Sequence, residues 1–324
     1  MIIDFQAHFF RIEYVRYFEG RKDYPKMVRE GDKHVLYHGK GFAYALQDRS
    51  SDFDLRIRHM DEAGVDMQVL TAGPPGVYHL EKALGVRVAR EQHDYMAEII
   101  SKYPGRFTGL ASLPLQDIKE SIVELNRAVG QLGLRGLQVH SNIAGKPLDS
   151  QEFWPIYERV QELDVPLYIH PTYPLMGEAM TEYGLISKVG YMFDTSLAVL
   201  RLIFSGVLEK FPRLKVIHPH MGAAITFLME RIDQGRTLGS VHPDAAIPKS
   251  PREYYDRVFT DSACHGKRAF KFGYEFFGPD RILFASDYPF FMPKPAIDMI
   301  NEMDISQAAK KKIFSENARS LLKI

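Results

Sequence analysis

Eight short apolar segments alternate with longer helical patterns along the 324-residue chain. Each apolar segment has the length and the content of Ile, Val, Leu and Phe that are typical of a buried strand. Continuous apolar strands separated by helices favour a parallel sheet that is covered on both faces. Eight such units predict closure into a (β/α)8 TIM barrel, an α/β fold, rather than an open doubly wound sheet. The predicted strands are 2–8, 67–72, 107–114, 135–141, 166–171, 214–219, 257–262 and 282–287.

The helical patterns between the strands carry the boundary signals expected of helices in such units. Gly64 follows the first helix, and Pro104 and Gly105 follow the second. No G-x-G-x-x-G motif follows a strand and opens a helix, which argues against a dinucleotide-binding fold. The predicted helices are 54–63, 79–102, 117–131, 151–163, 192–210, 222–234, 265–276 and 305–322.

Two stretches, 10–52 and 235–256, depart from this alternation. The first contains KHVLYHGKGFAY, which resembles a hairpin with its turn near 38–41, and we interpret 10–52 as a small insertion over the barrel mouth. The second is predicted to be a long loop on a side of the barrel that a partner subunit could reach. No repeat or linker indicates a second domain, so residues 1–324 are predicted to form a single barrel domain.

The composition excludes several classes of partner and site. The chain has 41 basic and 41 acidic residues and a pI near 7.2, which gives no electrostatic reason to expect nucleic acid or a membrane surface as a partner. The single cysteine, Cys264, excludes an internal disulfide and a cysteine-based zinc site. The chain enters a strand directly, and no uncharged apolar run approaches the ~18–20 residues that span a bilayer. We therefore expect a cytoplasmic protein.

Four of the apolar segments end in side chains of the kind that bind metals. Because the carboxyl ends of barrel strands meet at one mouth, residues that are remote in sequence should lie together there. Neutral imidazoles and a carboxylate are the ligands of a catalytic divalent ion with open coordination positions. The segments and their polar residues are IIDFQAH (Gln6, His8), PLYIH (His170), KVIHPH (His218, His220) and ILFASD (Asp287).

Gln6 and the two sixth-strand histidines need separate interpretation. Gln6 either offers a neutral amide oxygen to the metal or only hydrogen-bonds its neighbours, and residue alternation would put it on the same strand face as Asp4 and His8. His220, at the loop, is the better general acid/base, whereas His218 could face the lumen at a deeper level and orient it. Asp287 could bind metal, activate a metal-bound water, or do both.

Two further histidines lie at strand ends. His140 ends the fourth strand, where a substrate contact and a solvated loop position are equally compatible with the sequence. Cys264 and His265 follow the seventh strand, but adjacent loop residues rarely point at each other, which argues against a nucleophilic pair.

Several motifs resemble those of the decarboxylase branch of the amidohydrolase superfamily. They are IDFQAH, DLRIRHMDEAGVDMQVLT, GVLEKFPRLKVIHPHMG with ERID downstream, and FASDYPF, so the similarity covers almost the whole chain. In that family a first-strand H-x-H motif, a fifth-strand His and an eighth-strand Asp bind one divalent ion, usually zinc and in some members manganese. The resemblance implies that His8, His170 and Asp287 are ligands and that His220 is the general acid/base. Gln6 stands where the usual motif has His and some members have Glu.

The resemblance implies a metal-dependent decarboxylase of a small aromatic or conjugated dienoic carboxylic acid. Arg231, after His220, is a candidate clamp for the substrate carboxylate, although a surface ion pair would suit it equally, and Arg49 is a second candidate. The same site could instead serve a hydrolase or hydratase acting on a lactone, an amide, a ring-cleavage product or a conjugated diacid. A non-catalytic binding barrel whose metal site is weakened by Gln6 is the alternative from another class.

A homodimer is also expected. The loop 235–256 carries Val241, Ala245, Ala246 and Ile247, which is more apolar surface than an exposed loop should leave in water. The resembling decarboxylases form dimers in which an arginine of one subunit approaches the site of the other. Arg236 is the residue we expect in that substrate-binding role, with Arg252 as the alternative.

Overall fold

The computed structural model describes residues 1–234 and 247–324. Its strands are β1 (Ile3–Phe9), β2 (Lys26–Glu30), β3 (Lys33–Gly39), β4 (Phe42–Ala45), β5 (Met67–Ala72), β6 (Phe107–Gly109), β7 (Ala111–Ser112), β8 (Leu137–His140), β9 (Asn142–Ile143), β10 (Lys146–Pro147), β11 (Pro166–His170), β12 (Lys215–His218), β13 (Phe259–Asp261) and β14 (Ile282–Leu283). Its α-helices are α1 (Ile12–Val15), α2 (Phe53–Ala63), α3 (Lys82–Lys102), α4 (Ile118–Gly130), α5 (Trp154–Leu163), α6 (Tyr191–Phe204), α7 (Val207–Lys210), α8 (Ile225–Gln234), α9 (Pro251–Tyr255), α10 (Lys267–Phe277), α11 (Pro293–Asn301), α12 (Gln307–Lys311) and α13 (Asn317–Leu322).

The parallel strands close into a ring. β1, β5 and β6 form one run of paired strands, and β7, β8, β11, β12, β13 and β14 form another. Only Leu110 separates β6 from β7, so these two act as one barrel strand that pairs with β5 on one side and β8 on the other. At the opposite junction Phe5 N donates to Phe284 O at 2.8 Å and Asp287 N donates to Gln6 O at 3.1 Å. The predicted TIM barrel is confirmed.

Two layers of apolar side chains show which way each barrel residue faces. The inner cluster fills the lumen, and α13 packs against it from below; the outer cluster lies between strands and helices. Because successive strand residues point to opposite faces, membership of one cluster fixes the direction of the neighbouring residues. The lumen cluster contains Ile3, Phe5, Val69, Leu110, Tyr168, Ile217 and Leu283.

A bulge in β1 directs its polar residues. The register with β5 shifts between Asp4 and Ala7, so one extra residue is inserted after Phe5. As a result Gln6 and His8 turn into the lumen, whereas Asp4 points outward and accepts a hydrogen bond of 3.0 Å from Gln68 Nε2. The prediction that Asp4 shares a face with Gln6 and His8 is wrong, because the bulge interrupts the alternation.

The insertion after β1 forms a three-stranded antiparallel sheet over the barrel mouth. The predicted hairpin is β3–β4, and β2 is an additional strand that was not predicted. Tyr44 Oη donates to Pro74 O at 2.8 Å, and Tyr173 Oη donates to Lys40 O at 3.0 Å. Pro74 and Tyr173 lie in the loops that follow β5 and β11, so the sheet covers the carboxyl ends of the strands. The assignment of the whole chain to one domain stays a prediction, since residues 235–246 lie outside the described part.

Several helices differ from prediction. The predicted helix 192–210 divides into α6 and α7 at Gly206, whose φ of 83° lies in the left-handed region. The predicted loop 235–256 contains α9, which begins with a capping box between Ser250 and Glu253. The helix α11 was not predicted. Among the described residues, no helix combines the length and the apolar character needed to cross a membrane.

A buried network of hydrogen bonds joins α3 to α4. His93 Nδ1 lies 2.6 Å from Glu124 Oε1, His93 Nε2 accepts a hydrogen bond of 2.9 Å from Ser112 N, and Arg127 Nη2 donates to Glu124 at 2.8 Å. Burial alone would raise the pKa of Glu124, but the hydrogen bonds from His93 and Arg127 outweigh it and lower that pKa from 4.5 to about 2. The ionised carboxylate therefore stabilises the folded chain.

Glu124→Gln is expected to lower the free energy of unfolding by about 2 kcal/mol at pH 7. A depressed folded-state pKa contributes stability that is fully present above the unfolded value of about 4.5 and is lost as the pH falls through the folded value. The deficit of the variant should therefore shrink between about pH 4.5 and pH 2, as measured by denaturant unfolding at several pH values. Glu120→Gln, at a partly exposed ion pair with Arg90, is the control and should change stability by less than about 0.5 kcal/mol. A deficit that is equal at all pH values would contradict the assignment.

Candidate metal centre at the barrel mouth

Three residues from distant parts of the chain converge at the carboxyl ends of β1, β11 and β14. The ligand atoms of His8, His170 and Asp287 all lie within 4.8 Å of one another. His8 Nε2 is 3.0 Å from His170 Nε2 and 3.1 Å from Asp287 Oδ1. His8 is fully buried, whereas the Asp287 side chain is 16% exposed. The cluster is therefore closed from below and open towards the mouth.

Neighbouring groups orient the two imidazoles. His170 Nδ1 lies 2.6 Å from the carbonyl oxygen of Pro171, which can only accept, so Nδ1 carries the proton and Nε2 carries the free electron pair. Thr71 Oγ1 lies 2.7 Å from His8 Nδ1, and Arg56, buried beneath the site, donates to the carbonyl of His8. Burial and the nearby His8 lower the pKa of His170 well below its usual range. A neutral His170 is the form that binds a metal.

Gln6 is a fourth candidate ligand and would offer an amide oxygen. Its Nε2 lies 3.2 Å from Asp287 Oδ1 and 3.4 Å from His8 Nε2, and its Oε1 is buried without a hydrogen-bond partner among the described residues. Rotating the amide by half a turn exchanges the two atoms and aims the oxygen at the cluster. Two donors bound at right angles and about 2.1 Å from one small divalent ion lie about 3.0 Å apart, which is the spacing found here. The residues therefore fit one divalent ion, with His8, His170, Asp287 and Gln6 as candidate ligands.

Gln6→Glu is expected to tighten metal binding by about tenfold or more, because an anionic oxygen attracts a divalent ion more strongly than an amide oxygen does. Competition with a chelating dye measures the affinity. Without metal, the added charge beside Asp287 should lower the Tm, and adding metal should reverse the change. The control is Gln307→Glu, which adds the same charge at an exposed position remote in sequence from these ligands. An unchanged affinity in Gln6→Glu would show that Gln6 does not contact the ion.

His220 lies in a strained turn after β12. Its φ is 58°, and Met221 and Ala223 also have positive φ, values that non-glycine residues adopt at a cost and that cluster at functional sites. The backbone N–H of His220 donates to Asp261 Oδ1 at 2.8 Å, and Tyr168 Oη holds the other oxygen of Asp261. The Nδ1 atom of His220 is buried without a partner in the described part of the chain. His220 follows β12, the strand that pairs with β11, and it lies near enough to His170 to contribute to the lowered pKa of that residue.

His218 does not face the lumen. Ile217 belongs to the lumen cluster, so His218 points outward, where its Nδ1 lies 2.8 Å from Tyr255 Oη and its Nε2 lies 3.3 Å from Thr195 Oγ1. The alternative of a deeper lumen residue that orients His220 is therefore wrong. The spacing of two would align the histidines only on a continuous strand, and β12 ends at His218.

His140 is a buried residue of the mouth and not a solvated loop histidine. It pairs in register with His170, and its Nδ1 is hydrogen-bonded to the hydroxyl of Tyr78. Its ring centroid is 5.7 Å from that of His170. Burial, together with the neighbouring imidazoles of His38, His79 and His8, lowers its pKa well below the usual range.

The candidate arginines occupy very different positions. Arg231 is exposed on α8, and Arg236 lies outside the described residues. Arg252 on α9 forms an ion pair of 2.8 Å with Asp256. Arg49 lies beside the loop after β14: its Nη1 is 3.3 Å from Met292 Sδ, and its Nε is buried without a partner in the described chain.

The Cys264–His265 pair is not arranged as a nucleophile and base. Burial raises the pKa of the Cys264 thiol to about 11, and its Sγ contacts the carbonyl of Gly266 at 3.8 Å. The ring of His265 stacks on Phe291, with centroids 3.8 Å apart.

A wall of aromatic rings stands above the cluster, and sequence analysis missed it. The ring centroid of Phe290 is 6.0 Å from that of His8 and 5.3 Å from that of Tyr44. Phe42 continues the wall to Tyr191, at 5.4 Å. Phe42 and Tyr44 occupy alternate positions of β4, a pattern that could have indicated a shared aromatic face. Flat apolar walls of this kind suit an aromatic or conjugated ligand.

A model of the Amidohydrolase family matches residues 3–324. The 2-amino-3-carboxymuconate-6-semialdehyde decarboxylase of Dictyostelium discoideum is 34% identical over 296 residues, covering 89% of this chain and 81% of that one. The gamma-resorcylate decarboxylase of a Polaromonas species is 34% identical over 284 residues, covering 84% and 87%. A 2-keto-4-carboxy-3-hexenedioate hydratase of a Sphingobium species is 28% identical over 182 residues, which cover 53% and 52% of the two chains.

Solved structures of decarboxylases are also similar to this chain. The 5-carboxyvanillate decarboxylase of Sphingomonas paucimobilis superposes with a TM-score of 0.89 at 28% identity, covering 100% of this chain and 99% of that one. A dihydroxybenzoic acid decarboxylase from Polaromonas, with bound manganese and the inhibitor 2-nitroresorcinol, has a TM-score of 0.84 at 30% identity, covering 99% and 96%. The fold is thus shared with decarboxylases, one of which was solved with bound manganese.

Proposed function

The chain belongs to the amidohydrolase family, and we propose that it is a divalent-metal-dependent decarboxylase of aromatic or conjugated carboxylic acids. The observation that carries this proposal is the open cluster of His8, His170 and Asp287, with His220 beside it and aromatic rings above it. A metal, a proton donor and a flat apolar wall are what the loss of carbon dioxide from an aromatic acid requires. The decarboxylases among the relatives support the reaction class.

His8, His170, Asp287 and Gln6 would hold the ion. When bound, it supplies Lewis acidity to a substrate oxygen on which negative charge develops. Zinc is the first expectation from sequence, with manganese as the alternative. A related decarboxylase structure contains manganese, so manganese is the first ion to test.

His220 would act as the general acid. A proton passes from its imidazole to the ring carbon that bears the carboxylate, the bond from that carbon to the carboxylate breaks, and its electron pair restores the aromatic ring as carbon dioxide leaves. Asp287, the partly exposed member of the cluster, is the group best placed to hold a water or a substrate proton at the mouth. The partly buried hydrogen bond from His220 N to Asp261 keeps the loop, and with it the imidazole, in place.

Substrate binding would use the aromatic wall for the ring and an arginine for a carboxylate. Arg49 suits the second role better than Arg231, because its Nε is buried and unpartnered in the described chain whereas Arg231 is exposed. The buried Nε of a guanidinium can gain a partner from a carboxylate bound in the bidentate arrangement. The role of Arg231 stays a prediction.

The test is a direct measurement of carbon dioxide release. Protein purified without chelator, analysed for bound metal and loaded with Mn²⁺ or Zn²⁺, is incubated with 2,6-dihydroxybenzoate, 5-carboxyvanillate and other aromatic or muconate-like acids. We expect carbon dioxide and the matching decarboxylated product from at least one acid, loss of activity on chelation, and recovery on adding metal. Metal-loaded protein that releases no carbon dioxide from any of them would contradict the proposal.

Hydration of a conjugated diacid is the second candidate, and the partial match to a hydratase favours it. The same metal and His220 could add water across a double bond. Incubation of the protein with 2-keto-4-carboxy-3-hexenedioate separates the two reactions, because hydration removes the ultraviolet absorbance of the conjugated system without releasing carbon dioxide.

We also infer a homodimer. Among the described residues, five of the twelve exposed large hydrophobic side chains fall within residues 175–193, which follow β11 at the mouth side: Leu175, Met176, Tyr183, Val189 and Phe193. So much exposed apolar surface in one segment suits a subunit contact. Sedimentation at micromolar concentration tests the assembly, and a monomer throughout would refute it. The predicted part of the loop 235–256 in the dimer contact stays a prediction, because residues 235–246 lie outside the described part and Ile247 packs against the core. The role of Arg236 or Arg252 in that loop, and the cytoplasmic location, also stay predictions.

A further inference from the structure

His140 occupies the mouth one strand away from a candidate metal ligand. It ends β8 and pairs in register with His170. Leu137 and Val139 belong to the outer core, so alternation along β8 points His140 into the lumen. The 5.7 Å between the ring centroids of His140 and His170 brings His140 within reach of a molecule bound at the centre.

One nitrogen of His140 lacks a partner. The residue is 1% exposed, and Nε2 makes no hydrogen bond to any part of the chain that the structure describes. A buried polar atom left unpaired costs about 1–3 kcal/mol. Beside a candidate metal ligand, such an atom is explained if a bound ligand supplies the missing partner.

The contact with Tyr78 indicates which atom on His140 carries the proton. Among the described residues, His140 Nδ1 is the atom with which the hydroxyl of Tyr78 forms its hydrogen bond. Because a buried phenol proton needs an acceptor, the hydroxyl donates to Nδ1, which accepts through its free electron pair. In the neutral ring of His140 the one proton is therefore on Nε2. In the charged ring both nitrogens are protonated, so Nε2 is a donor in either form.

We propose that His140 is a specificity-determining residue whose Nε2–H donates a hydrogen bond to a second oxygen of the substrate. The substrate class is an aromatic acid with an acceptor oxygen, a hydroxyl or a second carboxylate, ortho or meta to the carboxyl group. This inference rests on the proposed function for its substrate class. A buried donor discriminates against a ligand that lacks the acceptor, because that ligand leaves the donor unpaired.

The test compares ligands that differ at one ring position. The first pair is 2,6-dihydroxybenzoate and 2-hydroxy-6-methylbenzoate, with the acceptor ortho to the carboxyl group. The second pair is 2-hydroxybenzene-1,3-dicarboxylate and 2-hydroxy-3-methylbenzoate, with the acceptor meta to it. Calorimetry with Mn²⁺-loaded protein measures the affinity for each acid, and the ratio of the two affinities in a pair is the preference. We expect the acceptor-bearing acid to bind at least about tenfold tighter in one pair.

His140→Ala should bring that preference close to one, whereas His140→Gln, which keeps an N–H donor near the position of Nε2, should retain part of it. Nitrogen-15 NMR of labelled histidine provides a measurement on the unaltered protein: we expect the Nε2–H tautomer at His140, and a mixture of tautomers in Tyr78→Phe. Binding of neither pair, a preference that survives in His140→Ala, or an Nδ1–H tautomer in the unaltered protein would each overturn the inference.

Carbon dioxide release is measured on the same samples. Discrimination that depends on His140 without carbon dioxide release would uphold the inference and overturn the decarboxylase proposal. Carbon dioxide release with an unchanged preference in His140→Ala would uphold the decarboxylase proposal and overturn this inference.

Discussion

His8→Ala is expected to abolish metal binding and to lower kcat/KM by about 10³-fold or more, since a catalytic ion contributes several kcal/mol to transition-state stabilisation. His8 is the central member of the cluster. Its Nε2 is the atom that lies within 3.1 Å of both His170 Nε2 and Asp287 Oδ1, and Thr71 and Arg56 hold its ring and backbone from below. Removal of the His8 imidazole takes away the ligand that lies between His170 and Asp287.

Metal-dependent stabilisation measures this loss independently of activity. An ion present at about 100 times its Kd stabilises the folded chain by about 2.7 kcal/mol, so the Tm of the unaltered protein should rise when Mn²⁺ is added. His8→Ala should show no such rise. His34→Ala, on the β3 strand of the insertion, is the matched control and should behave as the unaltered chain does. A His8→Ala protein that still gains stability from Mn²⁺ would show that the ion binds elsewhere.

The barrel could be predicted because its strands are buried on both faces. Such strands read as continuous apolar runs, and all eight predicted segments overlap the observed strands. The end of β14 is the weakest match: its regular pairing with β13 stops at Leu283, although backbone hydrogen bonds to β1 continue as far as Asp287 and Tyr288. In a (β/α)8 barrel each strand lies beside the next strand in sequence, so the order of the eight strands around the barrel follows from the sequence.

The barrel brings His8, His170 and Asp287 to one mouth, because each lies at or beyond the end of a strand and all strands of the barrel end there. The bulge in β1 then turns His8 inward. No distance information was needed, which is why these three residues could be predicted from sequence. The resemblance to the decarboxylase branch added their roles, and the family match confirms the resemblance.

The direction of individual side chains could not be predicted where the backbone departs from regular geometry. The bulge after Phe5 separates Asp4 from Gln6, and the end of β12 separates His218 from His220. Simple alternation fails at both places because it assumes an unbroken strand. Such departures are common next to active sites, where they aim a side chain.

The aromatic wall and α11 were missed for different reasons. The wall assembles rings from the insertion, from Tyr191 and from Phe290, contacts that no local pattern encodes. The helix α11 begins at Pro293 and contains Pro295, and two prolines in the first turn look like a helix breaker, although the first turn is where proline is tolerated.

His220→Asn is expected to keep the metal and to lower turnover by about 10²–10⁴-fold, the usual effect of losing a general acid. Asparagine is chosen because it tolerates the left-handed backbone at this position, where φ is 58°. His265→Asn is the matched control: its φ is 52°, it also lies near the mouth, and it should retain most of the turnover because its ring stacks on Phe291 and carries no proposed role.

Metal content and turnover are measured on the same samples. If metal content falls in proportion to turnover, His220 is a ligand of the ion and not the proton donor. If turnover persists with the metal in place, the proton reaches the ring carbon from another group, and Asp287 would be the residue to test next.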